Sequence, residues 1–316
     1  MLNKICYIII KKIIEFIKYL NLDQTVFDKL IFYIGINQLT SSRQNYKNFG
    51  TLHEAELKVF SQNGEDGIID YLFHQLEIPS PNFVEIGIGN YRESNTRFLY
   101  NRIHSKGLII DRLDQLYIKV KPHVNLSKGD LRIHQKMVNA ENINEILGKY
   151  CDYDIDIFSI DIDGIDYWVI SKLKPNISKI FIAEYNPIFG PDLEITVPNI
   201  DGFNRTNYHY SNLCYGLSLK ALIKLMEKKN YYFLGTNLQK NNAFFISNNL
   251  KKESFFPNII LRKLSYYSDS NIRDSRDYNY NLNYLNGSKK LKEIENCEVI
   301  DLSDEKNNKS KIKNLL

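Results

Sequence analysis

The sequence has little cysteine and no strong excess of either charge. Its four cysteines, Cys6, Cys151, Cys214 and Cys297, lie far apart and show no CxxC or Cys/His metal spacing. A reducing compartment fits this spacing best. The formal net charge of +4 is small and dispersed, so we expect no nucleic-acid partner.

A long apolar run is also missing from the N-terminal segment. Only six uncharged residues, Ile5 to Ile10, precede Lys11 and Lys12. This run is too short for the apolar region of a signal peptide or for a membrane span, so we expect a cytoplasmic protein. Ile and Leu at helical spacing, together with lysines, would also allow residues 1–20 to make peripheral contact with a membrane. The alternative is a helix that packs on its own domain or on a partner, including another copy in an oligomer.

The apolar runs divide the chain into three segments. Residues 1–50 read as a helical extension, and residues 51–250 carry nearly all strand-like runs. Residues 251–316 are rich in Asn, Lys, Ser and Tyr and are expected to form a loosely packed tail with disordered ends. In the middle segment strands alternate with helices, which predicts an α/β fold with a mostly parallel sheet and helices on both faces. "YYFLGTN" and "NNAFFIS", separated by a short connection, predict a hairpin with an antiparallel last strand.

A glycine turn follows the first predicted core strand. In "FVEIGIGN", Gly87 and Gly89 stand where the strand turns toward the next helix. Open α/β sheets bind ligands at this kind of turn, and glycine lets the backbone approach the ligand closely. Glu85 would point its carboxylate at the ligand or at the amides of the loop itself. Arg92 stands where a third glycine would complete the dinucleotide-binding fingerprint, so the turn is less suited to bind a pyrophosphate.

A carboxylate ends the second predicted strand. Asp111 closes "GLIID", 22 residues after Gly89. At this position a carboxylate can accept hydrogen bonds from both hydroxyls of a ribose. It could instead cap the following helix; the glycine turn upstream favours ribose binding.

Acidic residues cluster after the next two predicted strands. Asp161 and Asp163 lie at the end of a very apolar strand in "DIFSIDIDGIDYWV", and Glu184 and Asn186 end the following one. Because parallel strands end at one edge of the sheet, Asp161, Glu184 and Asn186 could converge there and hold Mg²⁺. The alternative is that Asp161 and Asp163 cap the helix that begins near Asp166.

A long irregular stretch, "NPIFGPDLEITVPNIDGFNRTNYHYSNLCY", follows the acidic residues. A stretch of this length in a compact domain is typical of a lid or a binding loop. His209 is its candidate general base, because a neutral imidazole can accept a hydroxyl proton near neutral pH. It could equally be a surface histidine in a tyrosine-rich loop. Asp161 is the second catalytic candidate.

These motifs together resemble a known enzyme family. "FVEIGIGN" and "GLIID" resemble the first two motifs of class I S-adenosylmethionine-dependent methyltransferases. "FSQNGEDGIIDYLF", "RESNTRFLY", "SIDIDGIDYW", "AEYNP", "YGLSLKALIKL" and "NNAFFIS" are similar to segments of FkbM-type bacterial methyltransferases, which are often associated with surface-glycan loci. The resemblance covers about residues 56–248. It implies a Rossmann-like seven-stranded sheet that ends in an antiparallel hairpin.

The resemblance also implies roles for particular residues. Glu85, Gly87 and Gly89 would shape the methionine end of the S-adenosyl-L-methionine pocket, Asp111 would hold the ribose and Asp161 would lie beside the cofactor. The segment Ser61 to Gly67, with Gln62, Glu65 and Asp66 as its polar candidates, could close over the pocket; the alternative is that its residues cap the next helix.

Metal-dependent methyltransferases of the catechol type are similar in their acidic positions. In this chain, however, Tyr185 separates the acid from the amide. The expected function is an O-methyltransferase acting on a sugar hydroxyl of a surface polysaccharide or its precursor, with a glycan or small-molecule acceptor. The alternatives are a metal-dependent nucleotide-sugar glycosyltransferase that uses Asp161 and Asp163, and a catalytically silent assembly protein that retains the fold.

Overall fold

The computed structural model describes residues 24–250, 275–304 and 306–316. The segment 1–20, for which a membrane contact was considered, lies outside the described residues. Among the helices that are described, none is long and apolar enough to cross a membrane.

A seven-stranded sheet forms the centre of the molecule, in the order β3-β2-β1-β4-β5-β8-β7. Neighbouring strands from β3 to β5 are parallel, whereas β8 is antiparallel to both β5 and β7. The predicted Rossmann-like fold with an antiparallel last strand is therefore confirmed. The strands are β1 (Phe83–Ile86), β2 (Gly107–Asp111), β3 (Leu131–Gln135), β4 (Ile155–Ile160), β5 (Ser178–Glu184), β7 (Tyr231–Thr236) and β8 (Asn242–Ser247).

Helices cover both faces of the sheet. Side chains alternate along a strand, so Phe83 packs in the core on one face of the sheet while the next residue, Val84, packs in the core on the other. Both faces are apolar because both are covered. The described helices are α1 (Gln24–Arg43), α2 (Glu65–Gln75), α3 (Arg97–Ile103), α4 (Leu116–Val120), α5 (Ile143–Tyr150), α6 (Asp166–Lys172), α7 (Arg205–Tyr208), α8 (Leu219–Lys228) and α9 (Ser288–Glu293).

The third strand ends earlier than its sequence suggests. The apolar run "IHQKMV" predicts a strand that continues to Val138, but β3 ends at Gln135. Met137 and Val138 therefore lie beyond the carboxyl end of the strand, where they line a cavity. The earlier end of the strand matters because it places two apolar side chains in the candidate site instead of in the sheet.

The described part of the C-terminal segment differs from the expected loose tail. Two strands, β9 (Glu298–Asp301) and β10 (Lys309–Lys311), pair with each other, and β9 also pairs with β6 (Ile195–Thr196). Ile294, Val299 and Ile312 are fully buried in the main core. The described residues around β9 and β10 are therefore packed on the main core rather than loose, because a few apolar anchors secure an otherwise polar segment.

Candidate active site

The loop between β1 and α3 needs its two glycines for different reasons. Gly87 has φ of +85°, and a Cβ there would lie 1.5 Å from the carbonyl oxygen of Asp161. Its N–H donates to the carbonyl of Ile110 at 2.9 Å, so the loop is held against both neighbouring strands. Gly89 has φ of +54° and open space where its side chain would be. Gly87 thus permits close packing, and Gly89 leaves room beside the turn.

Glu85 serves the loop rather than the open space. Its carboxylate is buried and accepts hydrogen bonds from the Ser94 hydroxyl at 2.6 Å, the Asn95 amide at 2.8 Å and the Thr96 amide at 3.0 Å. The Thr96 hydroxyl donates to it as well. Burial raises the pKa of Glu85, and these hydrogen bonds partly offset the rise. Of the two orientations that the sequence left open, the structure has the one toward the loop's own amides.

Asp111 lies at the end of β2 and faces the same loop. Its Oδ2 accepts from the Gly89 amide at 2.7 Å, and its Oδ1 accepts from the Leu113 amide at 2.8 Å. Each oxygen accepts one such bond, so each keeps acceptor capacity for a further donor. The carboxylate therefore both fixes the glycine turn and can bind a ligand hydroxyl.

A cavity of about 710 Å³ opens above the carboxyl ends of β1 to β4. It brings together Gly87, Gly89, Asp111 and Asp161, four of the five residues that were predicted to bind the cofactor; Glu85 does not line it. Sequence reasoning missed the apolar part of the wall, which includes Met137, Val138, Ile165 and Phe203. A correct end for β3 would have revealed the first two of these.

The segment Ser61 to Gly67 supports one edge of the cavity. Only Gln62 among its three polar candidates lines the cavity. Asp66 is buried, and its Oδ2 accepts from the backbone amides of residues 59–61 at 2.6 to 2.8 Å. Glu65 accepts from Asn237 at 2.7 Å and Asn242 at 2.9 Å, which ties the segment to β8 and to the turn between β7 and β8. Glu65 and Asp66 therefore hold in place the backbone that presents Gln62.

The structure contains a cluster of acidic side chains, which we call the acidic centre, but its residues differ from the predicted set. Asp161, Asp163 and Glu184 each offer a carboxylate oxygen, and these oxygens lie within 4.8 Å of one another. Asn186 does not join them: its amide group donates to the carbonyls of Leu213 and Tyr215 at 2.9 and 3.0 Å. Its oxygen accepts from the backbone amide of residue 188. Asn186 is fully buried, so the prediction of a ligand role for it is not supported by its contacts.

The helix α6 has Ile165 at its N-cap position, so neither Asp161 nor Asp163 caps it, and Asp166 instead holds the turn that precedes the helix. Its carboxylate accepts from the backbone amides of Ile162 and Gly164, each at 3.0 Å. Burial, partly offset by these bonds, raises the pKa of Asp166 to about 6. Asp161 and Asp163 belong to the same turn, and both line the cavity.

Like charges and burial change the proton affinity of the acidic centre. Burial, and then the charge of neighbouring Asp163, raises the pKa of Asp161. Burial, and then the charge of Asp161, raises the pKa of Glu184. Two partly buried carboxyl groups that share a hydrogen bond cannot both ionise cheaply. Arg205 offsets part of the negative charge through an ion pair with Asp163 at 2.9 Å, and its guanidinium lies over the Tyr215 ring.

His209 lies outside the cavity wall. Its Nδ1 is 2.7 Å from the Ser211 hydroxyl, and its ring stacks on Tyr210 at 4.3 Å between centroids. A hydrogen bond from Cys214 chiefly lowers the pKa of Cys297, and a smaller contribution from His209 places the imidazole toward the C-terminal segment. The structure thus brings Asp161 to the cavity, whereas the other catalytic candidate, His209, faces a different part of the molecule.

No protein-family model matches the sequence, and the curated proteins contain no match to it. Solved structures that match include an S-adenosylmethionine-dependent methyltransferase from Clostridium acetobutylicum, with 9% identity and a TM-score of 0.38, covering 58% of this chain and 90% of that one. A Listeria monocytogenes protein provisionally assigned to the same class matches with 14% identity and a TM-score of 0.32, covering 51% of this chain and 80% of that one. Overlaps this limited assign no activity, so the function proposed below depends on the residues of the site itself.

Proposed function

We propose that this chain is an S-adenosylmethionine-dependent O-methyltransferase that acts on a sugar hydroxyl of a surface polysaccharide or its precursor. The observation that carries the proposal is the cavity above β1, β2 and β4, where Gly87, Gly89 and Asp111 meet. Its volume of about 710 Å³ is in the usual range for cofactor sites. The sugar acceptor follows from the resemblance of the sequence segments and is tested separately.

The residues of the cavity fit this cofactor. Asp111 keeps acceptor capacity on both oxygens, which suits the two hydroxyls of a ribose. Met137, Val138 and Ile165 offer an apolar wall for a purine ring, and the glycine turn leaves open space beside Gly89. When bound, the cofactor supplies an electrophilic methyl group on a sulfonium. The remaining tasks, which are positioning the acceptor, excluding water and accepting a proton, belong to the protein.

Asp161 is the group best placed to accept the proton of the acceptor hydroxyl. It lines the cavity, and its raised pKa makes its carboxylate a stronger base than an ordinary aspartate. Arg205 holds Asp163 on the same rim, so the rim keeps a fixed shape during approach of the acceptor. His209 has no contact that brings it to this position, and we therefore give the role of general base to Asp161.

We also propose that the acidic centre holds Mg²⁺. Carboxylate oxygens are the ligands that this ion prefers, and three of them lie within 4.8 Å of one another in Asp161, Asp163 and Glu184. These residues replace the predicted set, in which Asn186 stood in place of Asp163. A bound cation would lower the cost of losing the hydroxyl proton, and it would then replace Asp161 as the group that favours loss of this proton.

The cofactor proposal is tested by calorimetric titration with S-adenosylhomocysteine, with and without Mg²⁺. Wild-type protein should bind, and Asp111→Ala should weaken binding by about 10-fold to 100-fold, because hydrogen bonds to a charged group are lost. Asp114→Ala is the matched control, since Asp114 is exposed three residues away and does not line the cavity. Unchanged affinity in Asp111→Ala would contradict the site.

The same titrations separate the other functions. Binding of uridine or guanosine diphosphate that requires Mn²⁺ and is lost in Asp163→Ala would favour a glycosyltransferase. Absence of a thermal shift with any of these ligands would favour a silent scaffold.

The acceptor is tested by incubating the protein with S-adenosylmethionine and candidate glycans or nucleotide sugars. Mass spectrometry should then detect one added methyl group on a sugar oxygen, and a methylated amine would contradict O-transfer.

A further inference from the structure

A second surface feature lies away from the candidate active site, on the outer side of α1. The inner side of α1 packs tightly: a Cβ at Gly35 would lie 2.6 Å from Val59, and Leu39 is 2% exposed. The outer side is apolar but open, with Leu30 at 55% and Ile34 at 54% exposed. The helix α4 adds Ile118, which is 64% exposed. We call these exposed side chains the apolar face: Leu30, Ile31, Tyr33, Ile34, Tyr117 and Ile118.

The two helices that carry the apolar face border one groove. Tyr33 of α1 and Tyr117 of α4 both line a cavity of about 740 Å³ between them. Arg97 joins its two sides, because its guanidinium pairs with Asp28 of α1 and donates to the carbonyl of His123 after α4. The same guanidinium lies 3.8 Å above the centroid of the Phe60 ring. Arg97 therefore ties the α1 side of the groove to the α4 side, and a tyrosine of the apolar face lines the groove from each side.

Lysines surround the groove. Lys29, Lys121 and Lys128 line it, and we call them the lysine rim. Within the residues that the structure describes, no ion pair is found for these three lysines, whereas the acid of the groove, Asp28, is paired with Arg97. Exposed apolar side chains bordered by tyrosines and unneutralised lysines are the composition of surfaces that lie on anionic membranes.

We infer that the apolar face and the lysine rim form a docking surface for an anionic lipid bilayer. The apolar side chains would enter the boundary between headgroups and acyl chains, while the lysines would contact the phosphates. Charge decides against a second copy of the chain, because a two-fold contact would bring the lysine rims together. The preceding residues 1–23 contain four lysines and two acids, so covering the face with this segment would add positive charge to a positive surface.

The test is flotation of the full chain with vesicles. One set contains phosphatidylcholine alone, and the other contains phosphatidylcholine with phosphatidylglycerol. We expect binding to the anionic vesicles only, and weaker binding as salt rises. In the variant Lys29→Gln/Lys121→Gln/Lys128→Gln, affinity should fall about fivefold per lysine, on the order of 100-fold in all. The control Lys172→Gln/Lys174→Gln/Lys313→Gln removes the same charge from exposed lysines elsewhere and should change affinity little.

The apolar contribution has its own matched pair of variants. Leu30→Gln/Ile34→Gln/Ile118→Gln should reduce partitioning on the order of 10-fold per side chain. Leu238→Gln/Leu282→Gln/Leu316→Gln alters equally exposed apolar residues on other surfaces and should have little effect. All four variants change exposed side chains, so circular dichroism should show an unchanged fold.

Three results would overturn the inference. The first is equal binding to neutral and anionic vesicles, or binding to neither. The second is binding to anionic vesicles that neither the lysine-rim variant nor the apolar-face variant weakens. The third is a lipid-free dimer in sedimentation equilibrium that the apolar variant dissociates, which would assign the face to a second copy.

Discussion

Replacing Glu85 should separate its role in the loop from any direct contact with a ligand. In Glu85→Ala the backbone amides of Asn95 and Thr96 lose their acceptor inside the protein, and they cannot turn away as the two hydroxyls can. A buried amide without a partner costs about 1–3 kcal/mol. The two amides together predict a loss of about 2–6 kcal/mol in the free energy of unfolding.

The isosteric change Glu85→Gln should cost less, by an amount that the hydrogen bonds define. An amide oxygen in the place of Oε2 keeps the bonds from Ser94 and Thr96. The amide nitrogen then faces the N–H of Asn95, which donates to Oε1 in the native protein. One opposed pair of donors predicts a loss of about 1–3 kcal/mol.

Urea unfolding measures both losses, and titration with S-adenosylhomocysteine measures the consequence for the site. Affinity should fall in the order of the stability loss, because residues 87–90 and Arg92 of the same loop line the cavity. Glu93→Ala is the stability control, since Glu93 is exposed on this loop and should change the free energy of unfolding by no more than about 0.5 kcal/mol. A loss below about 1 kcal/mol in Glu85→Ala would refute the conclusion that this carboxylate anchors the loop.

Two further changes test the backbone around the cavity. Gly87→Ala should prevent folding or cost more than about 3 kcal/mol, since its Cβ would overlap the Asp161 carbonyl, whereas Gly89→Ala should cost only about 1–2 kcal/mol for its positive φ; equal costs in urea unfolding would contradict this. Burial raises the pKa of Asp66 to about 6, so ionisation of Asp66 should lower the free energy of unfolding by up to about 3 kcal/mol as pH rises from about 4 to about 6. Asp66→Asn keeps one accepting oxygen and should remove this decline, and a decline identical to that of the wild type would show that another group causes it.

The sheet and the glycine turn were predictable because their signals are local. Apolar strand runs alternate with helical patterns, and the connection between β7 and β8 is too short for anything but a hairpin. Gly87 and Gly89 likewise predict a turn, because other residues adopt its backbone conformation only at a steric cost. The position of Asp111 at the end of β2 was enough to predict a role in ribose binding. Its hydrogen bonds with the amides of Gly89 and Leu113 add a structural role that the position did not indicate.

Residues whose role depends on distant contacts were not predictable in this way. Asn186 follows an acid at the end of β5, as a metal ligand would, but its amide satisfies carbonyls about 30 residues further along the chain. His209 stands in a polar loop after the acidic residues, yet it lies toward a C-terminal segment that was expected to be loose. The direction of such side chains depends on the residues they pack against, and a local sequence pattern does not identify these residues.

The acidic centre needs a positive charge or protons, and this requirement links its structure to its chemistry. Asp161, Asp163 and Glu184 would carry three negative charges if all were ionised, and Arg205 supplies one positive charge through Asp163. Without a further cation, burial and mutual repulsion favour a proton on the pair formed by Asp161 and Glu184, as the raised pKa of each group indicates. A divalent cation held by Asp161 and Glu184 would compete with this proton, and both carboxylates would then serve as ligands. The same three residues thus provide a proton acceptor in one state and a metal site in the other, and proton release on addition of Mg²⁺ distinguishes the two.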